Sequence, residues 1–547
     1  MKKNLFWNLT AILIFIAVIY FLIVPVTMVI KGSLQTLEGG PLTLKNYQKF
    51  SMYRSYWQSL GNSVGVGMAA SVLTILLAVP LAFLVARNNI PGKPILLALS
   101  TIPLMVPSFV AAFAWIFLLG RAGVLTVLIR SLGIPFGSIY GHGGVTAIFT
   151  MQFFPYVFLM TLSGFSSVDE SVEEAGRSLG TGPFRTFVKV SIPLVLPSIL
   201  SGALLVFMAA VENFGVPMII GEQKPYLSVQ AYTEFTSEIG DHPGMAYALS
   251  VILILVTMTS LMAQRYYLRK RNFIQSARGR PLIRKLRGVS YYLASLYCYL
   301  VVCIPLIPFA ITVVVSFMET RGAVIHPHFS LNNYAHALSH AAQPIFNSYF
   351  LASIATIASV IVGVPTGYIL ARRRSLVGDG LDLAIMLPFT IAGTVLGIAL
   401  ISMFNSGILV LTGTWMILAL SYTIRKMPFI ARSSSSILYQ LDPALEEASV
   451  SLGVSPMKTF FKITVRLMAA GIVSGAILTW ITTISEISST IVLQTPGWST
   501  ITLEMFNGIV SDQMGVATAY ASILIVSVVV PLLIMMRLIK GERASLF

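Results

Sequence analysis

The feature that most constrains this chain is a series of apolar runs, many of 20 or more residues, spread over its whole length. A helix of that length crosses a hydrocarbon core of about 30 Å. Hydrophobic residues make up 56% of the 547 residues and charged residues only 10%, which leaves too little polar surface to cover a soluble protein of this size. The chain is therefore predicted to be an all-α polytopic membrane protein.

About twelve segments are predicted to cross the membrane, and an even number puts both termini on one side. They are residues 8–30, 62–87, 95–120, 142–165, 192–218, 245–265, 290–317, 347–371, 381–404, 408–431, 467–495 and 515–537. The first segment follows Lys2 and Lys3 as a signal peptide would. Its apolar part is too long for one and no A-x-A site follows, which favours a retained helix.

Basic residues are distributed unevenly between the two sides of the predicted membrane. With the N-terminus inside, 28 of the 36 Lys and Arg residues fall in inner segments, Arg425 and Lys426 among them, and eight in outer loops. Positive loops stay cytoplasmic, so both termini are predicted to be cytoplasmic. Anchoring to anionic membrane lipids accounts for most of the net charge of +16, and no nucleic-acid partner is expected.

The chain contains an internal repeat. Residues 172–190 match residues 445–463 at an offset of 273, with ten identities in nineteen positions. Upstream the offset is 285, and it relates Asn62, Ser63, Pro80, Ala86 and Arg87 to Asn347, Ser348, Pro365, Ala371 and Arg372. The repeat predicts two six-helix domains, residues 1–268 and 290–547, joined by a basic cytoplasmic linker at 269–289. An even number of helices per half makes the halves parallel, related by an axis along the membrane normal.

The repeated segment lies in a predicted inside loop of each half. Its paired residues in the two copies are Glu173 and Glu446, Glu174 and Glu447, Ala175 and Ala448, Gly180 and Gly453, Pro183 and Pro456, and Phe187 and Phe460. Acidic residues suit a helix N-terminus, glycine permits a turn, and proline can open a second, amphipathic helix. A membrane-surface helix would explain one such loop. Two copies with the same glycine favour docking into a shaped cleft on a partner.

The pattern EEA, with Gly six residues after the second Glu and then a hydrophobic helix, resembles the EAA loop of ABC importer permeases of the type I, MetI-like fold. In that family the loop docks into a groove on the nucleotide-binding subunit. The resemblance implies a fused permease with two pseudo-symmetric permease domains in one chain. Residues 107–120 and 212–221 look most like the ferric-iron branch, and thiamine and 2-aminoethylphosphonate permeases are similar.

No G-x-x-x-x-G-K-[ST] phosphate cradle occurs in the chain. The chain is therefore expected to be no enzyme and to bind no cofactor. ATP and magnesium would be bound by a separate cytoplasmic ATPase, in two copies for two loops. The resemblance also implies an extracytoplasmic solute-binding protein that delivers the cargo, with ferric iron expected, and transport by alternating access.

Two carboxylates lie inside predicted spans at nearly matching repeat positions, Glu212 in the fifth span and Glu486 in the eleventh. Charged groups inside a membrane are costly and are the default functional candidates. Facing each other across a pathway, they would suit a cationic or metal cargo. The sequence leaves open that they cap helix breaks or pair with nearby polar groups.

Four of the six histidines lie in the outer segment from His326 to His340. His336 and His340 are four apart, so on a helix they share a face and could bind a metal. A solvated loop or a docking surface for the binding protein is the alternative, because no carboxylate or Cys accompanies them in this stretch.

Two other function classes compete with an ABC permease. An ion-coupled secondary transporter would need membrane-embedded charged sites and no ATPase. A non-transporting scaffold or receptor would need no pathway between the halves. The two EAA-like loops argue against both.

Overall fold

A computed structural model gives the fold of the chain. It describes residues 2–36, 40–135, 137–167, 182–237, 243–270, 286–321, 324–372, 376–407 and 409–544. Four of the predicted loop residues, Glu173, Glu174, Ala175 and Gly180, lie outside the described residues, as does most of the predicted linker.

Among the described residues of the first half, the regular elements are all helices. Its helices are Lys2–Val18, the π-helical turn Ile19–Ile23, Val24–Ser33, Lys45–Met52, Arg54–Arg87, Lys93–Met105, Ser108–Leu119, Val124–Ser131, His142–Ser167, Pro183–Thr186, the π-helical turn Phe187–Ser191, Ile192–Val211, Gly215–Ile220, Leu227–Thr236 and Gly244–Lys270. Pro80 lies inside the long helix Arg54–Arg87, a position that transmembrane helices tolerate because neighbouring groups satisfy the freed backbone carbonyl.

The second half repeats this order and adds a hairpin. Its elements are Val289–Cys303, a 3-10 turn Ile304–Leu306, Ile307–Ser316, strands Met318–Arg321 and Val324–Phe329, then Asn332–Arg372, Leu376–Met386, a 3-10 turn Leu387–Thr390, Gly393–Phe404, Trp415–Gln440, Ala444–Ser451, Pro456–Thr459, the π-helical turn Phe460–Thr464, Val465–Leu467, Ala469–Ile484, Ile501–Val510 and Met514–Ala544. The strands pair antiparallel, with Arg321 opposite Val324.

Among the described residues, nine helices are long and apolar enough to cross a membrane, or ten if a bent pair, Pro456–Leu467 and Ala469–Ile484, counts as one span. The predicted all-α polytopic class is confirmed, while the number of twelve is not. Two predicted spans, 95–120 and 381–404, are each broken in the middle, between Met105 and Ser108 and between Met386 and Gly393. Apolar composition cannot reveal such breaks, since both sides of each break are equally hydrophobic.

The chain forms two compact units that do not follow its sequence order. One consists of residues 1–46, 234–251 and 315–547, and the other of residues 47–233 and 252–314. The N-terminal helix Lys2–Val18 packs on Asn332–Arg372 of the second repeat, within the first of these units. The helix Val289–Cys303 packs on Arg54–Arg87 of the first repeat, within the other. The domain boundaries drawn from the sequence stay a prediction.

A close helix crossing recurs in both repeats at the 273 offset. A Cβ placed on Gly202 would lie 2.6 Å from Val157 Cα, and one placed on Gly475 would lie 3.1 Å from Ile430 Cα. Small residues let membrane helices approach closely where lipid offers no hydrophobic driving force for association. The repeated glycines therefore fix the same helix crossing in each half.

Both long helices also hold a short helix in the same way. Ser63 Oγ accepts a hydrogen bond of 2.9 Å from the backbone N–H of Leu227, and Ser348 Oγ accepts one of 2.8 Å from that of Ile501. Leu227 and Ile501 begin the helices Leu227–Thr236 and Ile501–Val510. Each serine thus satisfies an N-terminal donor that a helix leaves without an intrahelical acceptor.

Candidate coupling site and pathway residues

The second EAA-like loop, residues 442–464, is a helix–turn–helix unit. Its first helix is Ala444–Ser451, with Glu446 and Glu447 in the first turn. Gly453 then has a φ of 85°, a left-handed conformation that favours glycine. Pro456 begins the second helix, and the side chain of Ser455 accepts a hydrogen bond from the Lys458 N–H at its start. The turn and the proline start that the sequence predicted are both present.

The two glutamates of this loop have different surroundings. Glu446 accepts hydrogen bonds from the Tyr368 hydroxyl at 3.0 Å and from Arg372 Nε at 3.3 Å. Arg372 also donates to the Leu441 carbonyl at 2.9 Å, so one guanidinium connects the long helix to the loop at two places. Glu447 is exposed. Glu446 therefore braces the loop internally, while the Glu447 side chain is accessible from outside.

An apolar surface stands out from the loop. We call it the docking patch; it consists of Leu445, Leu452, Met457 and Phe461, which are 50%, 85%, 49% and 58% exposed. Lys458 and Lys462 beside it are exposed too, as is the loop's Ala448. Exposed apolar side chains are common in this chain, as in any protein that faces lipid, and these four differ in lying on one short loop beside exposed lysines. Phe460, in contrast, is buried and points into the protein.

Phe460 belongs to a buried aromatic cluster. Its ring centroid lies 5.2 Å from that of Tyr368 and 4.8 Å from that of Trp7 on the N-terminal helix. The Trp7 and Tyr368 rings are 4.3 Å apart. A cavity of about 470 Å³ adjoins this cluster; Trp7, Tyr368, Arg372, Glu446, Glu447 and Pro456 are among the residues that line it. The second EAA-like loop is thus held by an ion pair and by ring packing.

Only the end of the first EAA-like loop is described. Pro183 begins the helix Pro183–Thr186, and the π-helical turn Phe187–Ser191 follows, as Phe460–Thr464 follows in the second copy. The Phe187 ring lies 4.4 Å from that of Phe83 and 6.3 Å from that of Phe165. Both loops therefore end in the same widened turn, which the sequence comparison did not predict. The first turn continues directly into Ile192–Val211, whereas the second is followed by Val465–Leu467 and a bend of 72° before Ala469–Ile484.

Glu486 is buried and ion-paired. Its carboxylate lies 2.5 Å from Arg425 Nη1 and 2.9 Å from Lys426 Nζ, and it also accepts a bond of 3.4 Å from the Ser489 N–H. The two basic side chains are each 12% exposed. Their assignment to an inner segment stays a prediction. The helix runs on from Trp415 to Gln440, so both cations lie in its middle, where a buried carboxylate compensates their charge.

Glu212 lies at nearly the matching place in the first half, one residue before the position that the 273 offset relates to Glu486. It caps the C-terminus of Ile192–Val211 and is half-buried, and it interacts electrostatically with the buried Tyr156. Glu486 likewise follows the end of a helix, Ala469–Ile484. The C-terminal end of a helix carries a partial negative charge that disfavours a carboxylate, so each position is costly. That the two carboxylates face a pathway stays a prediction.

The histidine hypothesis is only partly within the described residues. His336 lies in the helix Asn332–Arg372 and is exposed, at the edge of a cavity of about 300 Å³ that Asn333, Asp512 and Gln513 also line. The side chain of His340 lies outside the described residues. Among those that are described, no group of three or more His, Cys, Asp or Glu side chains could hold a metal ion. A metal at His336 and His340 stays a prediction.

Three residues that shape the coupling site were not singled out from the sequence. Arg372 had a visible signal, because Arg87 matches it in the repeat. Tyr368 matches Phe83 at the same offset, but two different aromatic residues in apolar runs carry little information. Trp7 comes from the other end of the chain, and no local pattern connects it with the loop.

Comparison with known proteins places the two repeats. Residues 78–272 and 363–542 each match the family described as "Binding-protein-dependent transport system inner membrane component". The chain is 26% identical to the probable ABC transporter permease protein y4fN of Sinorhizobium fredii, over 98% of this chain and 97% of the relative. It is 27% identical to the ferric transport system permease protein FbpB of Actinobacillus pleuropneumoniae, over 84% and 67%. The spermidine/putrescine transport system permease protein PotB of Haemophilus influenzae is 28% identical over 41% of this chain and 81% of the relative.

Proposed function

The chain belongs to the family of binding-protein-dependent transport system inner membrane components, and from that premise we propose that it moves ferric iron through the membrane as the fused permease of an ABC importer. As a multi-pass inner membrane permease of this family it works with an ATPase and a solute-binding protein. The proposal concerns the cargo, the number of ATPase copies, the orientation and the residues that transmit the work.

The observation that carries the proposal is the second EAA-like loop with its exposed docking patch. Arg372 and Tyr368 hold Glu446, so the loop is fixed to the long helix while its apolar residues remain uncovered. A patch on a firmly held support can transmit movement to the helices behind it. We propose that the patch docks on a cytoplasmic ATPase, with one ATPase copy for each EAA-like loop. We also propose that both chain termini lie on the cytoplasmic side of the membrane.

ATP and magnesium bind to those ATPase copies in this scheme, and this chain contributes no cofactor site. Closure of the ATPase pair moves both loops, and each loop passes the movement through its π-helical turn into the helix behind it. That helix is Ile192–Val211 in the first half and, across the bend after Val465–Leu467, Ala469–Ile484 in the second. The helices then expose the cargo site alternately to the two sides, and the extracytoplasmic binding protein supplies the cargo. Two loops with repeated chemistry suit a symmetric ATPase pair.

Ferric iron is proposed as cargo because a ferric transport permease matches over 84% of this chain. The same machine could import 2-aminoethylphosphonate, thiamine or another small solute, and the spermidine/putrescine permease named above is related to part of the chain. An ion-coupled secondary transporter would use Glu212 and Glu486 as its coupling groups. Arg425 and Lys426 already neutralise Glu486, which disfavours that alternative.

The docking assignment can be tested by co-purification with the cognate ATPase. Replacing Gly453 with alanine forces a residue with a Cβ into a left-handed conformation, which costs about 1–2 kcal/mol, and we expect it to distort the patch and weaken ATPase retention. Gly133→Ala is the matched control, because Gly133 also has a positive φ, 77°, and open space around it. Equal ATPase retention by the wild type and Gly453→Ala would contradict the assignment.

The cargo can be tested separately in proteoliposomes that contain the ATPase and the cognate binding protein. We expect ATP-dependent uptake of radiolabelled ferric iron and none of labelled 2-aminoethylphosphonate or thiamine. Uptake of either organic solute without iron uptake would replace the cargo and leave the importer assignment intact. Uptake that follows an ion gradient and ignores ATP would favour the secondary transporter.

A further inference from the structure

Trp7 ties the N-terminal helix to the second EAA-like loop. It is 2% exposed and packs against both Tyr368 of the long helix and Phe460 of the loop. Aromatic rings at such separations attract each other in tilted and edge-to-face arrangements, and these pairs have interplanar angles of 33° and 75°. One side chain from the start of the sequence therefore contacts both the loop and the long helix on which the loop is held.

The first repeat builds the same support from its own residues. Phe83 and Phe187 match Tyr368 and Phe460 at the two repeat offsets. The third ring there is Phe165, from the helix that precedes the first EAA-like loop, with its centroid 5.5 Å from that of Phe83. The residue that matches Phe165 at the 273 offset is Leu438, which is buried and aliphatic. In the second repeat the third ring is thus absent from the expected helix, and Trp7 supplies one.

The cavity beside Trp7 explains why the ring that Trp7 supplies matters for holding the second EAA-like loop. About 470 Å³ of space separates parts of the second EAA-like loop from the long helix, so the loop does not rest on a continuously packed surface. The Arg372–Glu446 pair bridges this space on one side. Trp7 borders it on another side, where its ring is both a wall of the cavity and a neighbour of Phe460.

We propose that Trp7 is a positioning residue through which the N-terminal helix holds the second EAA-like loop against the long helix. The loop then moves as one body with Asn332–Arg372 when a partner pushes on the docking patch. This inference rests on the proposed docking of an ATPase on that patch. It makes transmission in the second half depend on a segment from the far end of the sequence, while the described part of the first loop depends on Phe165 of its own half.

The test uses the full chain in lipid nanodiscs, with Cys298 and Cys303 replaced by alanine so that a single spin label can be attached. The label is placed at Lys458→Cys or, as a matched site, at Arg185→Cys, since both positions are exposed and equivalent in the repeat. In Trp7→Ala we expect the label at 458 to become more mobile in its electron paramagnetic resonance spectrum and the label at 185 to stay unchanged. In the same variant the affinity for the ATPase should fall about fivefold to tenfold. Trp7→Phe should restore most of the wild-type label mobility and most of the affinity.

A control on the same helix is Leu13→Ala, because Leu13 is 58% exposed and its truncation leaves the aromatic cluster intact. Unchanged mobility at 458 in Trp7→Ala would overturn the inference. An equal rise at 458 and 185 would overturn it too, because it would indicate general loosening rather than a local support. If the wild type binds no ATPase, the proposed function fails, while the label at 458 still reports whether Trp7 holds the loop.

Discussion

The two halves differ most where a carboxylate lies among their membrane helices. At the 273 offset, Gln152 of the first half corresponds to Arg425 of the second. Arg425 pairs with the buried Glu486, whereas the Gln152 side chain donates a hydrogen bond of 2.9 Å to the Val106 carbonyl, at the break between two short helices. One half therefore has a buried ion cluster where the other has a neutral amide bonded to the backbone.

The residues that set the backbone, in contrast, recur. Pro155 and Pro428 match within the two helices concerned, and Gly202 and Gly475 make the same crossing. The same backbone arrangement therefore accommodates a buried ion cluster in one half and a neutral, hydrogen-bonded amide in the other. The pseudo-symmetry of the fold therefore does not extend to charge at this place.

Removing the carboxylate of Glu486 is the strongest test of this comparison. In Glu486→Gln, Arg425 and Lys426 lose the carboxylate that pairs with both of them, and breaking a buried ion pair in this way costs about 3–5 kcal/mol. We expect a large drop in the thermal unfolding midpoint in nanodiscs. Glu212→Gln is the matched variant, since Glu212 is half-buried and has the neutral Gln152 in place of the arginine, and it should change the midpoint far less.

Equal destabilisation by the two variants would show that the halves are electrostatically alike despite their sequences. The same two carboxylates are the predicted pathway residues, and combining the two variants tests that prediction. If the double variant Glu212→Gln, Glu486→Gln folds and shows normal uptake with normal cargo-stimulated ATP hydrolysis, neither carboxylate takes part in transport.

The next largest effect is expected within the second EAA-like loop, from two adjacent glutamates. Glu446→Gln weakens the pair with Arg372. Because both side chains border the cavity of about 470 Å³ rather than being fully enclosed, the cost is about 1–2 kcal/mol. The affinity of this variant for the ATPase should fall about tenfold. Glu447→Gln alters an exposed side chain and should leave loop stability unchanged. Titration of each variant with the ATPase measures its affinity, and thermal unfolding measures its stability.

A larger loss of affinity in Glu447→Gln than in Glu446→Gln would assign the ATPase contact to the exposed glutamate and remove the internal brace from the mechanism. Equal losses would mean that the loop responds to its net charge rather than to the Arg372 contact.

The two EAA-like loops show how far sequence reasoning reaches. The turn at Gly453 and the helix start at Pro456 could be predicted because each rests on the conformational preference of one residue type. The brace on Glu446 could not, because its partners lie 74 and 78 residues upstream. Local patterns carry no record of such long-range contacts, and a repeat indicates only that both copies make the same ones.

The membrane segments show a second limit. Hydropathy located the apolar mass correctly but joined Lys93–Met105 to Ser108–Leu119 as one span, since Pro107 alone does not reveal whether a helix bends or ends. Charge counting likewise did not reveal that Arg425 and Lys426 pair with the buried Glu486. Both omissions have one cause: backbone breaks and buried charges are satisfied by partners on other helices, which a linear scan does not see.

The smallest expected effect concerns a place where the halves should be equivalent. Ser63 and Ser348 each cap a short helix from the side of a long one, with bonds of 2.9 and 2.8 Å, so Ser63→Ala and Ser348→Ala should each cost about 1 kcal/mol. Their neighbours sharpen the comparison, because Asn62 donates to one carbonyl, that of Pro225, and Asn347 donates to two, those of Gly497 and Ser499. Asn347→Ala should therefore lower the unfolding midpoint more than Asn62→Ala, while the two serine variants should lower it equally. If the two serine variants lowered the midpoint by different amounts, the short helices Leu227–Thr236 and Ile501–Val510 would be held differently. The asymmetry between the halves would then extend from their charges to the packing of their helices.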